Sequence, residues 1–147
     1  MKFLAFCVFL LPLSLLAQLE KKTIEAVKTD AEFKIDGYLN DSAWAYAPVA
    51  ENFRMLQPGN GDTIPHRFRT KVKVLYSDEA IYFGVTMYDP QPDSILTQLT
   101  ERDTYEENVD YLLLAINPFN DGLNDFNFAV TAAGTQADGR TTASGDD

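Results

Sequence analysis

What most constrains this chain is a pair of neighbouring runs that suit a β-hairpin and little else. Thr70–Tyr76 (TKVKVLY) sets Val72, Val74 and Tyr76 against Lys71, Lys73 and Leu75. Ala80–Tyr88 (AIYFGVTMY) is rich in β-branched and aromatic residues, and Ser77-Asp78-Glu79 turns the chain between the two. Alternation with a period of two, interrupted by a polar turn, is how a hairpin reads in sequence. Weaker copies of the pattern recur. Thr23–Val27 alternates as an edge strand does, and Phe33–Gly37 is a short alternating piece closed by the turn signal Asp36-Gly37. Ser94–Leu99 reads as a weak strand, and Asp125–Thr131 (DFNFAVT) alternates cleanly. Tyr111–Ile116 (YLLLAI) is apolar at every position, which predicts a central strand buried on both faces. Strands spaced by about 8–12 residues with little helix between them predict an all-β fold, a jelly-roll-like β-sandwich.

The intervening segments are punctuation. Asp41 or Ser42 is placed to cap a single helical turn that carries Trp44 inward. Leu56–Pro65 (LQPGNGDTIP) is loop by composition, and Gly134–Asp147 shows no apolar pattern. The strand Asp125–Thr131 therefore has no evident neighbour downstream, and a long open edge is an aggregation hazard. On that ground the domain is expected to be truncated at its C-terminus, the front portion of a longer protein.

The beginning of the chain has a different character. Met1-Lys2, an apolar run from Phe3 to Leu16 and the small residue Ala17 make a secretory leader, with cleavage expected after Ala17. The run falls short of the roughly 20 residues that span a bilayer, and Pro12 interrupts it. Export leaves residues 18–147 as one domain and removes Cys7, so the mature chain holds no cysteine and no disulfide. The whole chain carries 22 acids against 12 basic residues, a net charge of −10, and loss of Lys2 makes the mature value −11. Such an acidic surface argues against nucleic acid as a partner, because phosphate contacts need clustered Lys and Arg.

Catalytic constellations are scarce. With one histidine, His66, and no mature cysteine, neither a nucleophilic triad nor a zinc site has its usual parts. Nucleotide-binding glycine motifs are missing, and pairs of carboxylates carry no specificity among so many acids. Asn117–Asp125 (NPFNDGLND) gathers Asn117, Asn120, Asp121, Asn124 and Asp125 in one turn. Two readings stand for it. Asp121, Asn124 and Asp125 are hard oxygen donors suited to calcium, the one cofactor the residues suggest. The same composition also makes a hairpin turn whose side chains bond their own backbone. Of the aromatics, Tyr82, Phe126 and Phe128 fall at inward strand positions and read as core, whereas Tyr38, Tyr105 and Phe119 sit in loops, open to ligand.

Three phrases taken together resemble carbohydrate-binding module family 9. They are Ile35-Asp36-Gly37 with Trp44, then Thr70–Asp89 (TKVKVLYSDEAIYFGVTMYD), then Asp110–Asn117 (DYLLLAIN), against family versions such as IDG…D..W, VRVLWD…LYV…V.D and DSVEIFID. The likeness runs from Ile35 to Gly139. Arg102-Asp103, the NPFNDG turn and Phe128–Gly139 resemble one branch in particular. In that branch the domain stands N-terminal to a large domain of unknown function in exported proteins of gram-negative bacteria. The departures matter for function. The family's sugar-stacking Trp falls near Glu107, its strand acid on Leu113 and its next-strand Arg on Ala129, and a second clamping Trp would lie past the end of the chain.

The resemblance thus implies the fold and leaves the sugar site to other groups, with Tyr105, Arg102 and Asp110 as the expected contacts. The resulting expectation is a secreted, non-catalytic module of the periplasm, outer membrane or exterior, with a polysaccharide or oligosaccharide and the C-terminal remainder of a parent protein as partners. Two other readings stand beside it: a structural or interaction domain that binds no sugar, and an appendage of a glycoside hydrolase.

Overall fold

The computed structural model describes residues 22–105 and 108–146. The expected leader Met1–Ala17 lies outside them, as does Glu107. The described chain is all-β, with two sheets and only three short 3-10 turns, consistent with a β-sandwich. Its residues form two compact units. One holds the chain up to Phe53 together with Thr70–Thr86; the other holds Arg54–Arg69 and everything from Met87 onward.

The first unit is built on the hairpin. β2 (Thr70–Tyr76) is hydrogen-bonded between β1 (Val27–Lys28) and β3 (Ile81–Met87). Ser77 makes the turn: its backbone N–H donates to the Ala80 carbonyl at 2.9 Å, while its hydroxyl accepts the N–H groups of Glu79 and Ala80. β1 runs parallel to β2, pairing Val27 with Leu75 and Lys28 with Tyr76. The expected edge strand is therefore present, shortened to the last residue of Thr23–Val27 and the one that follows. Phe33–Gly37 is irregular and not a strand; its Asp36 closes the expected turn by accepting the Tyr38 N–H at 2.9 Å.

A 3-10 turn, Ser42–Tyr46, follows Asp41 and buries Trp44 as expected, although no side chain caps it. The core here is Trp44, Ala47 and Leu75, with Phe33, Leu39 and Tyr82 packed around it. The edge of Phe33 meets both Trp44 and Tyr82, at ring separations of 5.5 and 4.7 Å. The alternation of β2 leaves open which of its faces is covered, and the structure covers both in part, Val74 being buried on one face and Leu75 on the other. Leu75, placed by alternation among the lysines, is the most deeply buried residue at 0% exposure, whereas Tyr76 is exposed. The reason is the Trp44 turn, which packs against Leu75. Lys73, on the same face as Leu75, spends its ammonium on the Trp44 carbonyl at 2.6 Å and lays its stem along the core.

The second unit is a four-stranded sheet ordered β4 (Tyr111–Ile116), β5 (Asp125–Thr131), β6 (Gln136–Thr142) and β7 (Gly145–Asp146). All pairs are antiparallel, with Tyr111 opposite Thr131 and Ile116 opposite Phe126. Three expectations change here. β4 is an edge strand and not a central one, and it is not buried on both faces, since alternate residues Tyr111, Leu113 and Ala115 are exposed. Phe126 and Phe128 are exposed as well, the latter at 48%, while Ala129 and Thr131 on the opposite face are buried. Finally, β5 does have a downstream neighbour, β6. Its Gly, Thr and Asp composition hides a strand that β5 templates through a tight turn at Thr131–Thr135. Gly134 supplies the positive φ of 88° that this turn requires. Ser94–Leu99, expected as a weak strand, begins in a 3-10 turn, Pro92–Ser94, and continues as irregular chain.

Gly84 marks how tightly the first core is closed. A Cβ there would stand 2.8 Å from the Trp44 ring and 2.9 Å from Leu39. Gly84→Ala is expected to destabilise by about 1–3 kcal/mol through overpacking, and Leu75→Ala by about 2–5 kcal/mol through the cavity it leaves. Urea unfolding followed by Trp44 fluorescence measures both; wild-type stability for Gly84→Ala would show that the indole does not rest on β3.

Candidate functional site

The expected sugar contacts converge on the start of β4. Asp110 ties the irregular 94–99 segment to this strand. Its carboxylate accepts the Leu96 N–H at 2.7 Å, its own N–H donates to the Leu96 carbonyl at 3.1 Å, and its carbonyl accepts the Ala132 N–H at 2.7 Å. Arg102 holds the preceding loop onto β6. Its guanidinium bonds Asp138 and lies 3.6 Å from the Asp103 carboxylate. Asp103, at a φ of 66°, completes the clamp: it donates its N–H to the Gln136 carbonyl and accepts the Asp138 N–H at 3.2 Å. Both residues thus shape the loop that presents Tyr105.

Tyr105 meets Tyr111 edge to face, with ring centroids 5.0 Å apart. Tyr111 is 42% exposed, as is Leu113 two positions on. The alternation of β4 puts Tyr111, Leu113 and Ala115 on one face, and the register continues it through Thr131, Ala129 and Asn127. Leu113 and Ala129, the two positions at which the resemblance expects a charged pair, are direct cross-strand neighbours. Ala129 and Thr131 are buried, so the exposed part of this face is Tyr111, Leu113 and Ala115 with Tyr105 beside them, suited to the C–H faces of a pyranose and without the acid and guanidinium that the resemblance places at Leu113 and Ala129. Nothing in the sequence singles out Tyr111, because an all-apolar strand conceals which of its residues face outward; the burial pattern of β4 reveals it. Tyr38 and Phe119 are exposed loop residues, as expected, with no aromatic neighbour among the described contacts.

Asp121, Asn124 and Asp125 lie in the β4–β5 connection, Asp125 being the first residue of β5. The Asp121 carboxylate accepts four donors from its own turn: the N–H groups of Leu123 and Asn124, at 2.9 and 3.1 Å, and the side-chain amides of Asn124 and Asn117, at 2.7 and 3.2 Å. These bonds, led by the Leu123 N–H and the Asn124 amide, lower its pKa from the ordinary 3.8 to about 2. A cation would have to compete with all four. Among the described residues, no group of three His, Cys, Asp or Glu side chains is placed to hold a metal.

An open cleft in the first unit is lined by Asp30, Glu32, Asp78 and Glu79 around Phe33 and Tyr82. Asp78 is paired there with Lys28 at 2.7 Å.

A family model described as carbohydrate family 9 binding domain-like matches residues 35–143. No curated protein and no solved structure matches the chain.

Because the folded state favours the charged form of Asp121, the stability it contributes is complete above the ordinary value of 3.8 and is lost as pH falls towards about 2. A carboxyl-carbon NMR titration is expected to place its midpoint near 2, against an ordinary value if the turn does not form.

Proposed function

The chain belongs to the carbohydrate family 9 binding domain-like family, and from that premise we propose that it binds glycan without catalysing a reaction. The observation that carries the reading is the Tyr105–Tyr111 pair, half-exposed beside Leu113 at the edge of the second sheet. Two phenol rings that meet edge to face, and an aliphatic neighbour, offer apolar contact to a sugar ring. Arg102 and Asp110 act chiefly by fixing the loop, with the remaining Arg102 donors available at the rim. Such a surface favours weak, shallow binding along a polysaccharide chain over deep capture of one monosaccharide.

We also propose that the module works outside the cytoplasm, as part of a larger cell-envelope protein. The apolar leader Phe3–Leu16 followed by Ala17 supports export, and the resemblance to the branch that precedes a large second domain supports the parent. When the full chain is expressed in a gram-negative host, sequencing of the exported protein is expected to begin at Gln18. An intact Met1 on exported protein would contradict the leader.

A second reading, an interaction module that binds no sugar, has its own support. Phe126, Phe128 and Val130 are exposed on one face of β5, and Leu113 and Ala129 stand at expected sugar-contact positions. Calorimetry against soluble polysaccharides separates the two. The glycan reading expects saturable binding, weakened at least about tenfold by Tyr105→Ala or Tyr111→Ala, the loss of about 1.4 kcal/mol or more. No saturable binding across a broad panel favours the interaction module.

A further inference from the structure

Three of the chain's five arginines, Arg54, Arg67 and Arg69, fall within residues 54–69, beside one acid, Asp62, in a chain of net charge −10. Two of them are held on aromatic rings. The short 3-10 turn His66–Phe68 brings the Arg69 N–H back to the His66 carbonyl, and the Tyr88 N–H then donates to the Arg69 carbonyl at 3.1 Å. This backbone bond sets Tyr88 beside Arg69, whose guanidinium carbon lies 3.7 Å from the centre of the Tyr88 ring. Arg67 lies over Phe68 at 4.9 Å. Both rings remain exposed, Phe68 at 40% and Tyr88 at 36%.

The charge arrangement is unusual for so acidic a protein. Among the described residues, neither Arg67 nor Arg69 pairs with a carboxylate, although Arg102 engages two. Arg69 spends one N–H on the His66 carbonyl at 3.1 Å, and Arg67 has no hydrogen-bond acceptor among the described residues. Each guanidinium carries five N–H donors. Contact with the rings consumes none of these donors, so an incoming carboxylate meets guanidinium groups that still have N–H bonds to offer.

We infer that Arg67, Phe68, Arg69 and Tyr88 form a subsite for acidic sugar, in which a uronate carboxylate pairs with the guanidinium forks while the pyranose rests against the aromatic side chains. The inference takes its ligand class from the carbohydrate-binding reading and its location from residues other than Tyr105 and Tyr111. The overall negative charge refines the ligand further. A uniformly charged polyuronate is repelled by the rest of the surface, whereas a neutral glycan bearing scattered uronate branches presents a carboxylate to the arginines at little such cost.

Calorimetry with two xylo-oligosaccharides of equal length, one bearing a single glucuronate branch and one unbranched, tests this on the full mature chain. The branched ligand is expected to bind at least about tenfold more tightly, and the double variant Arg67→Gln, Arg69→Gln to bring the two ligands to equal affinity. These side chains are at the surface, so the variant should melt as the wild type does. Equal affinity in the wild type, or a preference that survives the double variant, overturns the subsite and leaves the neutral-glycan reading intact. Failure of both ligands overturns the subsite, and the polysaccharide panel then decides the wider reading. Short oligoglutamate serves as the anion control; binding with the same arginine dependence would overturn the assignment to sugar.

Discussion

The contact between the Trp44 indole and the backbone of β3 at Gly84 is the constraint on which the first unit depends. A bulky aromatic reaches a strand surface only where a side chain is missing, and Gly84 provides that place. Once seated, the indole excludes water from Leu75 and organises Phe33, Leu39 and Tyr82 around it. It also carries costs. The Trp44 Nε1 has no acceptor among the described residues, a desolvation penalty of about 1–3 kcal/mol. Burial of so large an aromatic surface offsets it, because a small β-domain with few buried residues relies on its largest side chains.

Much of this was legible in the sequence where local chemistry alone decides. The hairpin, its polar turn, the Trp44 turn and the bounds of β4 and β5 are all marked by alternation, apolar runs and turn residues. The misreadings share a different cause. Period-two alternation shows that two faces exist without showing which one is covered, so Phe126 and Phe128 read as core although they are exposed. The covering element settles the matter, and for Leu75 it is the turn that carries Trp44, 31 residues away in sequence. β6 was missed because a strand of Gln, Ala, Asp, Gly, Arg and Thr has no apolar pattern of its own and exists by pairing with β5.

The candidate site was legible in part, for similar reasons. A loop tyrosine is visible as Tyr105, but its partner Tyr111 lies in an all-apolar strand that gives no sign of which residues stay exposed. Arg102 and Asp110, expected as sugar contacts, are both engaged in bonds to the protein itself. Their hydrogen bonds fasten two irregular segments to the sheet. The cross-strand pairing of Leu113 with Ala129 gives the departure from the family pattern a single physical meaning. Two charges that would stand opposite one another are replaced together by aliphatic groups, so neither is left unpaired. The turn around Asp121 shows the same economy, with one carboxylate collecting the donors that its own backbone exposes.

The central claim is that a folded β-domain with a Trp44-centred core recognises glycan. Because Trp44 is the single tryptophan, its fluorescence reports unfolding without interference from the Tyr105–Tyr111 surface. The most direct measurement is a thermal melt of Gln18–Asp147 followed at this residue, with and without soluble polysaccharides. A ligand that binds only the folded state raises the midpoint in proportion to the logarithm of its concentration. The account expects one sharp transition that at least one polysaccharide moves upward in this way. A broad, non-cooperative change, or a sharp midpoint that no polysaccharide moves, would contradict it.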